Sequence, residues 1–210
     1  LGDVYKRQGG NHRQNVIKVE ILNSYMGVSP IFLYPEIHMK SGPRQGDDNG
    51  TVYGICTFTF DSINLGADLT VVISGGNACI LKTQNSGNVV IGADIDVSGG
   101  DAREGYSTNN GLGGVGIAGG YNGGDHDRNG FGPGRGKSKT WSDVGGGAGY
   151  ATEGARGGST DLAYSLAYGD DTLNHLHGGS GGGGGDHEGG GAGGGAISIE
   201  ADGNGTLTLN

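Results

Sequence analysis

The sequence predicts an all-β protein, a right-handed parallel β-helix-like solenoid that is interrupted by a long glycine-rich insertion. Apolar and polar residues alternate in short segments before residue 99 and again after residue 195, which is typical of half-buried strands. Similar side chains recur after one solenoid turn, as Cys56 and Cys79 do at a spacing of 23 residues. Between the two strand regions, 36 of the chain's 51 glycines lie within residues 99–195.

The first eight residues, "LGDVYKRQ", resemble the translated tail of an adapter used in DNA library preparation. We therefore treat residues 1–8 as an artefactual scar outside the fold, and we expect the natural N-terminus further upstream. The rest divides into a strand region at 9–98, the glycine-rich insertion at 99–195 and resumed solenoid strands at 196–210. The strand pattern continues to the last residue, so we also expect a truncated C-terminus.

Strands are predicted where apolar residues alternate with polar ones, or form a short run between turn residues. No segment before residue 99 shows the 3.6-residue period of an amphipathic helix. Turns rich in glycine and asparagine, such as "NLGA", "SGGN" and "NSGN", separate the later strands. The predicted strands before the insertion span residues 15–22, 31–40, 51–60, 68–74, 78–83 and 88–97.

A repeat of 22 or 23 residues supports the solenoid. Leu69 and Ile91 are 22 residues apart, and so are Ile73 and Ile95. In a parallel β-helix each turn lies on the previous one, so residues one turn apart point in the same direction. An antiparallel sandwich also contains many short strands, and it is the alternative fold.

The glycine-rich insertion has two alternative structures. Glycine-rich chains behave as flexible coils in many linkers. Runs such as "GGSGGGGG" (178–185) and "GGGAGGGA" (189–196) can also pack as extended left-handed helices with three residues per turn, similar to polyproline II. Apolar residues within the insertion, among them Val115, Ile117 and Tyr121, favour an ordered insert docked on the flank of the solenoid.

Residues 51–210 resemble a family of uncharacterised bacterial glycine-rich, exported proteins of the β-helix (pectin-lyase-like solenoid) type. The resemblance is carried by "FTFDSINLGADLTVVISGGNACILKTQNSGNVVIGADIDVSGGD", "AYGDDTLNHLHGGSGGGGG" and "GGGAGGGAISIEADGNGTLTLN". It implies a secreted or cell-surface protein with no assigned reaction. It supplies no catalytic residues that could be transferred to this chain.

Charge and hydropathy exclude two classes of partner. The net charge of −9 argues against nucleic acid, since binding a polyanion requires clustered Lys and Arg. No run of about 18 apolar residues is present, so the sequence predicts no membrane span.

The acidic segment "DHDRNG" contains candidate calcium ligands. Asp125, Asp127 and Asn129 occupy alternate positions ahead of Gly130, as in the first half of a calcium-binding loop. The twelfth position is Gly136 where such loops have a glutamate, so the motif is incomplete. Calcium is therefore a candidate ion, and no organic cofactor is indicated.

A histidine-rich segment provides candidate transition-metal ligands. His175, His177 and His187 lie close together in the sequence, and Asp186 and Glu188 flank the last of them. Imidazole nitrogens suit zinc, copper and nickel. An exposed polar surface without a metal is the alternative interpretation of the same residues.

Asp94 and Asp96 are the candidate catalytic residues. They lie on one face of a predicted strand, about 6.6 Å apart at 3.3 Å per residue. That separation is at the low end of the range for inverting glycosidases. A solvent-facing strand produces the same pattern without any catalysis.

Cys56 and Cys79 would lie on adjacent turns of a solenoid, about 4.8 Å apart, which is within the range that a disulfide tolerates. They would equally pack as free buried thiols.

The first functional hypothesis is a non-catalytic structural or adhesive protein, extracellular or at the cell surface, that contacts polysaccharide or another surface component. The alternatives are a carbohydrate-active β-helix enzyme, a glycosidase or lyase that uses Asp94 and Asp96, and a calcium-stabilised surface module. The sequence makes no prediction of the oligomeric state.

Overall fold

The structure is a computed structural model that describes residues 55–67, 69–73, 75–105, 111–138, 144–157, 165–169 and 176–210. The strands predicted at 15–22 and 31–40 lie outside these ranges. Within them the chain is all-β and contains no helix, and its strands are β1 (Ile55–Phe60), β2 (Ile63–Leu65), β3 (Thr70–Val72), β4 (Ala78–Thr83), β5 (Val89–Ile91), β6 (Asp94–Asp96), β7 (Ile197–Glu200) and β8 (Leu207–Leu209).

Successive strands enter three sheets in a fixed order. The first sheet contains β1, β4 and β7, the second contains β2, β5 and β8, and the third contains β3 and β6. All five strand pairs are parallel, so the described strands do not form the antiparallel sandwich. The arrangement is compatible with a β-helix-like fold, because each of β1 to β5 pairs with the strand three positions later in chain order.

The register confirms one predicted repeat and corrects two others. Cys56 pairs with Cys79, as the 23-residue spacing predicts. The two 22-residue spacings were wrong as register pairs, because Ile91 pairs with Leu65 and Ile95 pairs with Val71. The predicted partners Leu69 and Ile73 lie beyond those positions, outside the strands.

Unequal turns explain the two errors. The offset between paired residues is 23 for β1 and β4, 26 for β2 and β5, and 24 for β3 and β6. Two residues separate β1 from β2, whereas five separate β4 from β5. Turns between solenoid strands accept insertions without disturbing the ladders. A single fixed period therefore does not predict the register of the strands that follow a turn of different length.

Residues of all three sheets contribute to one buried core, which contains in-register apolar ladders. Phe58, Leu81 and Ile199 form one such ladder across the first sheet. Burial of these side chains provides the main stabilisation of the strands. The core residues are Phe58, Ile63, Val71, Ile73, Cys79, Leu81, Val89, Ile91 and Ala118.

The described part of the glycine-rich insertion consists of extended segments joined by lateral hydrogen bonds between backbones. Along residues 179–185 every third amide donates to the segment 188–194: Gly179 to the carbonyl of Gly194, Gly182 to that of Gly191 and Gly185 to that of Glu188, at 2.8, 2.9 and 3.0 Å. The interval of three residues is that of the polyproline II helix, one of the two structures that the sequence left open.

The same three-residue interval recurs with other neighbours of this segment. Amides of residues 121, 124 and 127 donate to carbonyls of residues 179, 182 and 185. Amides of residues 181 and 184 donate to carbonyls of residues 131 and 128. Successive residues of segment 179–185 therefore bond to different neighbours, which makes it the centre of a bundle that we call the glycine bundle, within residues 97–196.

Close approach of the segments explains why glycine is required. A Cβ on Gly123 would collide with the carbonyl of Gly190, and one on Gly193 with the carbonyl of Gly179. These obstacles are backbone atoms, which cannot turn aside as the end of a side chain can. The composition of the insertion is therefore explained by packing.

The glycine bundle contacts the strands through a turn at Ala118. The Ala118 side chain is fully buried in the strand core, and its amide donates to the carbonyl of Gly75 at 2.6 Å. Its carbonyl accepts the amide of Ala196 at 2.8 Å, directly before β7. The bundle is thus anchored on the strands at the point where the first sheet resumes.

Candidate metal centre

The turns that contain His126 and His187 meet at the end of the glycine bundle that is remote from the strands. His187 is nine residues from Ala196, which corresponds to about 28 Å at 3.1 Å per residue. The amide of Asp127 donates to the carbonyl of Gly185 at 3.2 Å, and this continues the three-residue interval into the turn. The lateral order of the bundle therefore brings together residues that are about 60 positions apart in the sequence.

His126, Asp186 and His187 each offer a ligand atom, and these atoms lie within 4.8 Å of one another. The imidazole of His187 is 3.5 Å from a carboxylate oxygen of Asp186. The rings of His126 and His187 are stacked, with their centroids 5.3 Å apart and their planes inclined by 5°. The cluster thus combines two imidazoles with one carboxylate.

Hydrogen bonds favour one tautomer of His126. Its Nδ1 accepts the backbone amide of His187 at 2.8 Å and lies 3.3 Å from the carbonyl oxygen of Gly185, a longer contact, and its Nε2 lies 3.1 Å from Oδ2 of Asp127. An imidazole that accepts at Nδ1 carries its proton on Nε2, where it donates to this carboxylate. The other oxygen of Asp127, Oδ1, is buried and has no hydrogen-bond partner among the residues that the structure describes.

The three predicted calcium ligands have different partners. Asp125 accepts the amide of Gly113 at 2.9 Å, and Asn129 accepts the amide of Ser138 at 2.8 Å. Asp127 faces His126. Each side chain therefore binds a different part of the glycine bundle, and calcium binding by this segment stays a prediction.

The predicted transition-metal residues are only partly brought together. His175 lies outside the described residues, and His177 is partly buried. The structure pairs His187 with His126, which the sequence analysis had not identified as a ligand. No local signal could have found this pair, because it depends on the lateral register between segments 121–127 and 179–185.

Asp94 and Asp96 are exposed at the two ends of β6. Their register partners on β3 are Thr70 and Val72. The amide of Ser98 donates to Oδ1 of Asp96 at 2.8 Å, and hydrogen bonding from Ser98 lowers the pKa of this carboxyl. A general acid needs a raised pKa, so the environment of Asp96 suits an ionised surface group better than that role.

Neither Cys56 nor Cys79 forms a disulfide in the structure. Asn77 donates to Sγ of Cys56 at 3.7 Å. Burial raises the pKa of the Cys79 thiol to about 12, and the neighbouring Cys56 adds to the shift.

Comparisons with protein-family models, with curated proteins and with solved structures found no match for this chain. Among the described residues, no helix has the length and apolar character needed to cross a membrane.

Proposed function

We propose that the chain is a non-catalytic structural or adhesive protein, extracellular or at the cell surface. In this proposal the strands belong to a right-handed parallel β-helix solenoid, and the glycine bundle is a rigid projection from it. The bacterial surface family that the sequence resembles is the class we infer for it. Its partner would be polysaccharide or another component of the cell surface.

One observation carries the proposal: the insertion leaves and re-enters the ladder without a change of register. The offset between paired residues is 118 both for β4 with β7 and for β5 with β8. Lateral hydrogen bonds and the anchor at Ala118 hold together those intervening segments that the structure describes. Such a rigid scaffold with a long projection suits a structural or adhesive role, in which a shape is presented to a partner.

The environment of the candidate catalytic pair supports a non-catalytic role. Asp94 and Asp96 lie on an exposed strand face, and hydrogen bonding from Ser98 lowers the pKa of Asp96, whereas apolar surroundings raise the pKa of a catalytic acid. A carbohydrate-active enzyme needs one carboxyl that is protonated near neutral pH.

The experiment combines binding and turnover on the same material. The chain is incubated with insoluble polysaccharides, and we measure both the protein that sediments with them and the sugar ends that are released. The proposal predicts sedimentation with at least one polysaccharide and no release above that of an Asp94→Asn/Asp96→Asn variant. Release of sugar ends that the double substitution abolishes would establish a carbohydrate-active enzyme instead. If the chain sediments with none of the polysaccharides, polysaccharide is not its partner.

A further inference from the structure

We propose that His126, Asp186 and His187 bind one divalent transition metal ion, with zinc the best fit, at the end of the glycine bundle remote from the strands. The site differs from the one that the sequence predicts, because it replaces His175 and His177 with a histidine from a distant segment. It also does not depend on the proposed surface function, since it rests on the geometry of two turns.

The donor set determines the class of ion. Two imidazole nitrogens and one carboxylate oxygen are typical ligands of zinc, and three protein ligands leave a fourth position for water. Calcium and magnesium prefer oxygen ligands throughout, so two imidazoles disfavour them. The cluster therefore selects a transition metal over the calcium that the neighbouring acidic motif suggests.

The distances are close to those of a tetrahedral site. Zinc bonds of about 2.0–2.1 Å place neighbouring ligand atoms about 3.4 Å apart in a tetrahedron. Asp186 and the His187 imidazole already lie 3.5 Å apart. The remaining separations are at most 4.8 Å, which is up to about 1.4 Å longer than the tetrahedral spacing, and rotation of one imidazole has to close this difference.

His126 is prepared for binding by its neighbour Asp127. The carboxylate of Asp127 lies 3.1 Å from Nε2 and holds the proton there, which leaves the lone pair of Nδ1 for the metal. Nδ1 faces the turn that contains Asp186 and His187, since it accepts the amide of His187. Asp127 is thus a positioning residue, and its carboxylate would orient the ligand imidazole without touching the ion.

Binding must turn one imidazole. Parallel stacked rings cannot direct two in-plane lone pairs at the same ion. His187 is the ring that turns, because its side chain is 49% exposed whereas that of His126 is 17% exposed. The metal then takes the place of the His187 amide at Nδ1 of His126.

The bound ion would join two turns that are 61 residues apart in the sequence. An ion that binds only the folded chain stabilises it in proportion to the logarithm of its concentration. At a hundredfold excess over the dissociation constant, a chain of this length should melt about 5–10 °C higher.

The test measures thermal melting of the full chain after chelator treatment, with zinc or calcium added back, and the absorption of bound cobalt(II) as a spectroscopic substitute. We expect one zinc per chain, a rise in melting temperature with zinc but not with calcium, and a tetrahedral cobalt spectrum. His126→Gln and His187→Gln should each lose the zinc shift and the cobalt band. His177→Gln is the matched control and should retain both.

The positioning role of Asp127 has its own readout. Asp127→Asn should weaken zinc binding by about 10–100-fold while the cobalt band survives at saturation. Unchanged affinity would refute the role of Asp127.

Two results would overturn the site itself. One is the absence of a zinc shift in the wild-type chain. The other is a zinc shift that persists in His126→Gln, which would place the ion elsewhere. The melting temperature of each variant without metal shows that it still folds, so loss of the shift is distinguishable from loss of structure.

Discussion

Replacement of glycines in the glycine bundle by alanine tests whether close packing of backbones explains the composition of the insertion. Gly181 lies in the central segment, where its amide donates to the carbonyl of Phe131 at 3.0 Å. A Cβ on Gly181 would lie 2.7 Å from the amide nitrogen of Gly123 and closer still to the carbonyl of Asn122. Ordinary contact requires at least 3.4 Å, so relief of the contact with Gly123 alone would take a separation of about 0.7 Å, and the closer carbonyl of Asn122 requires more.

Gly191 is the matched control. It belongs to the neighbouring segment, and a Cβ there would meet nothing within 4 Å. Neither Gly191 nor Gly181 has a positive φ, so the backbone conformation itself permits alanine at both positions. The two substitutions therefore differ in packing and share the change in unfolded-state entropy.

The two substitutions are expected to change the free energy of unfolding in opposite directions. Overpacking against a rigid neighbour costs about 1–3 kcal/mol, so Gly181→Ala should destabilise the chain. Gly191→Ala should stabilise it by about 0.4–1 kcal/mol, because alanine has less conformational entropy in the unfolded state. Thermal melting followed by circular dichroism should separate the two variants by about 3–15 °C. Equal melting temperatures would refute the account of the glycine bundle.

The remaining predictions concern the thiols, alkaline pH and the exposed acids. Cys79 should resist a thiol reagent at pH 8 in the folded chain and react after unfolding, because burial raises its pKa to about 12. Fast labelling of Cys79 in the native state, identified by peptide mapping, would contradict its burial. Since the folded chain keeps a proton that an unfolded thiol with the ordinary pKa of 9.0 releases, stability should fall as the pH rises above about 9. Burial also raises the pKa of Tyr121, which should extend the loss of stability to higher pH. In denaturant titrations, Cys79→Ala should make the decline of the unfolding free energy just above pH 9 shallower. An unchanged slope would count against the raised pKa of the thiol. Asp94→Asn and Asp96→Asn should each change the free energy of unfolding by less than about 0.5 kcal/mol, since both side chains are exposed. A larger loss of this free energy, measured by urea unfolding, would show that the side chain has a structural role.

The strand pattern of the sequence identifies most strands, but it does not locate the short turns that separate them. Residues 78–83 were predicted as a strand, and β4 has these bounds. The predicted strand at 88–97 is divided into β5 and β6 by a bend at Ala93, and the amide of Gly92 donates to the carbonyl of Leu65 at 2.6 Å. The sequence analysis missed β2, because its three residues run into the turn "NLGA". Three-residue strands are too short for alternation to be visible.

The candidate site was less predictable, for a physical reason. Each half has a local signal, "DHDRNG" around His126 and "DHE" around His187. What joins the halves is the register between two glycine-rich segments, in which residues 121, 124 and 127 bond to residues 179, 182 and 185. Glycines carry no side chains that would specify one register over another from sequence alone.

The central claim, that strands on the two sides of the insertion pair directly, is tested by disulfide trapping. Lys82 on β4 pairs with Glu200 on β7, and Thr59 on β1 pairs with Lys82. In a Cys56→Ala/Cys79→Ala background, Lys82→Cys/Glu200→Cys places the two new cysteines on neighbouring strands with their Cα atoms about 4.8 Å apart, within the range for a disulfide. Thr59→Cys/Glu200→Cys places them two strands apart, about 9.6 Å, which is too far for a disulfide.

The measurement is gel electrophoresis without reductant after mild oxidation and proteolytic cleavage within the insertion. The account predicts that the fragments on either side of the cut stay joined in Lys82→Cys/Glu200→Cys and separate in Thr59→Cys/Glu200→Cys. The continuous parallel ladder would be contradicted if the fragments separate in Lys82→Cys/Glu200→Cys, or if they stay joined only in Thr59→Cys/Glu200→Cys.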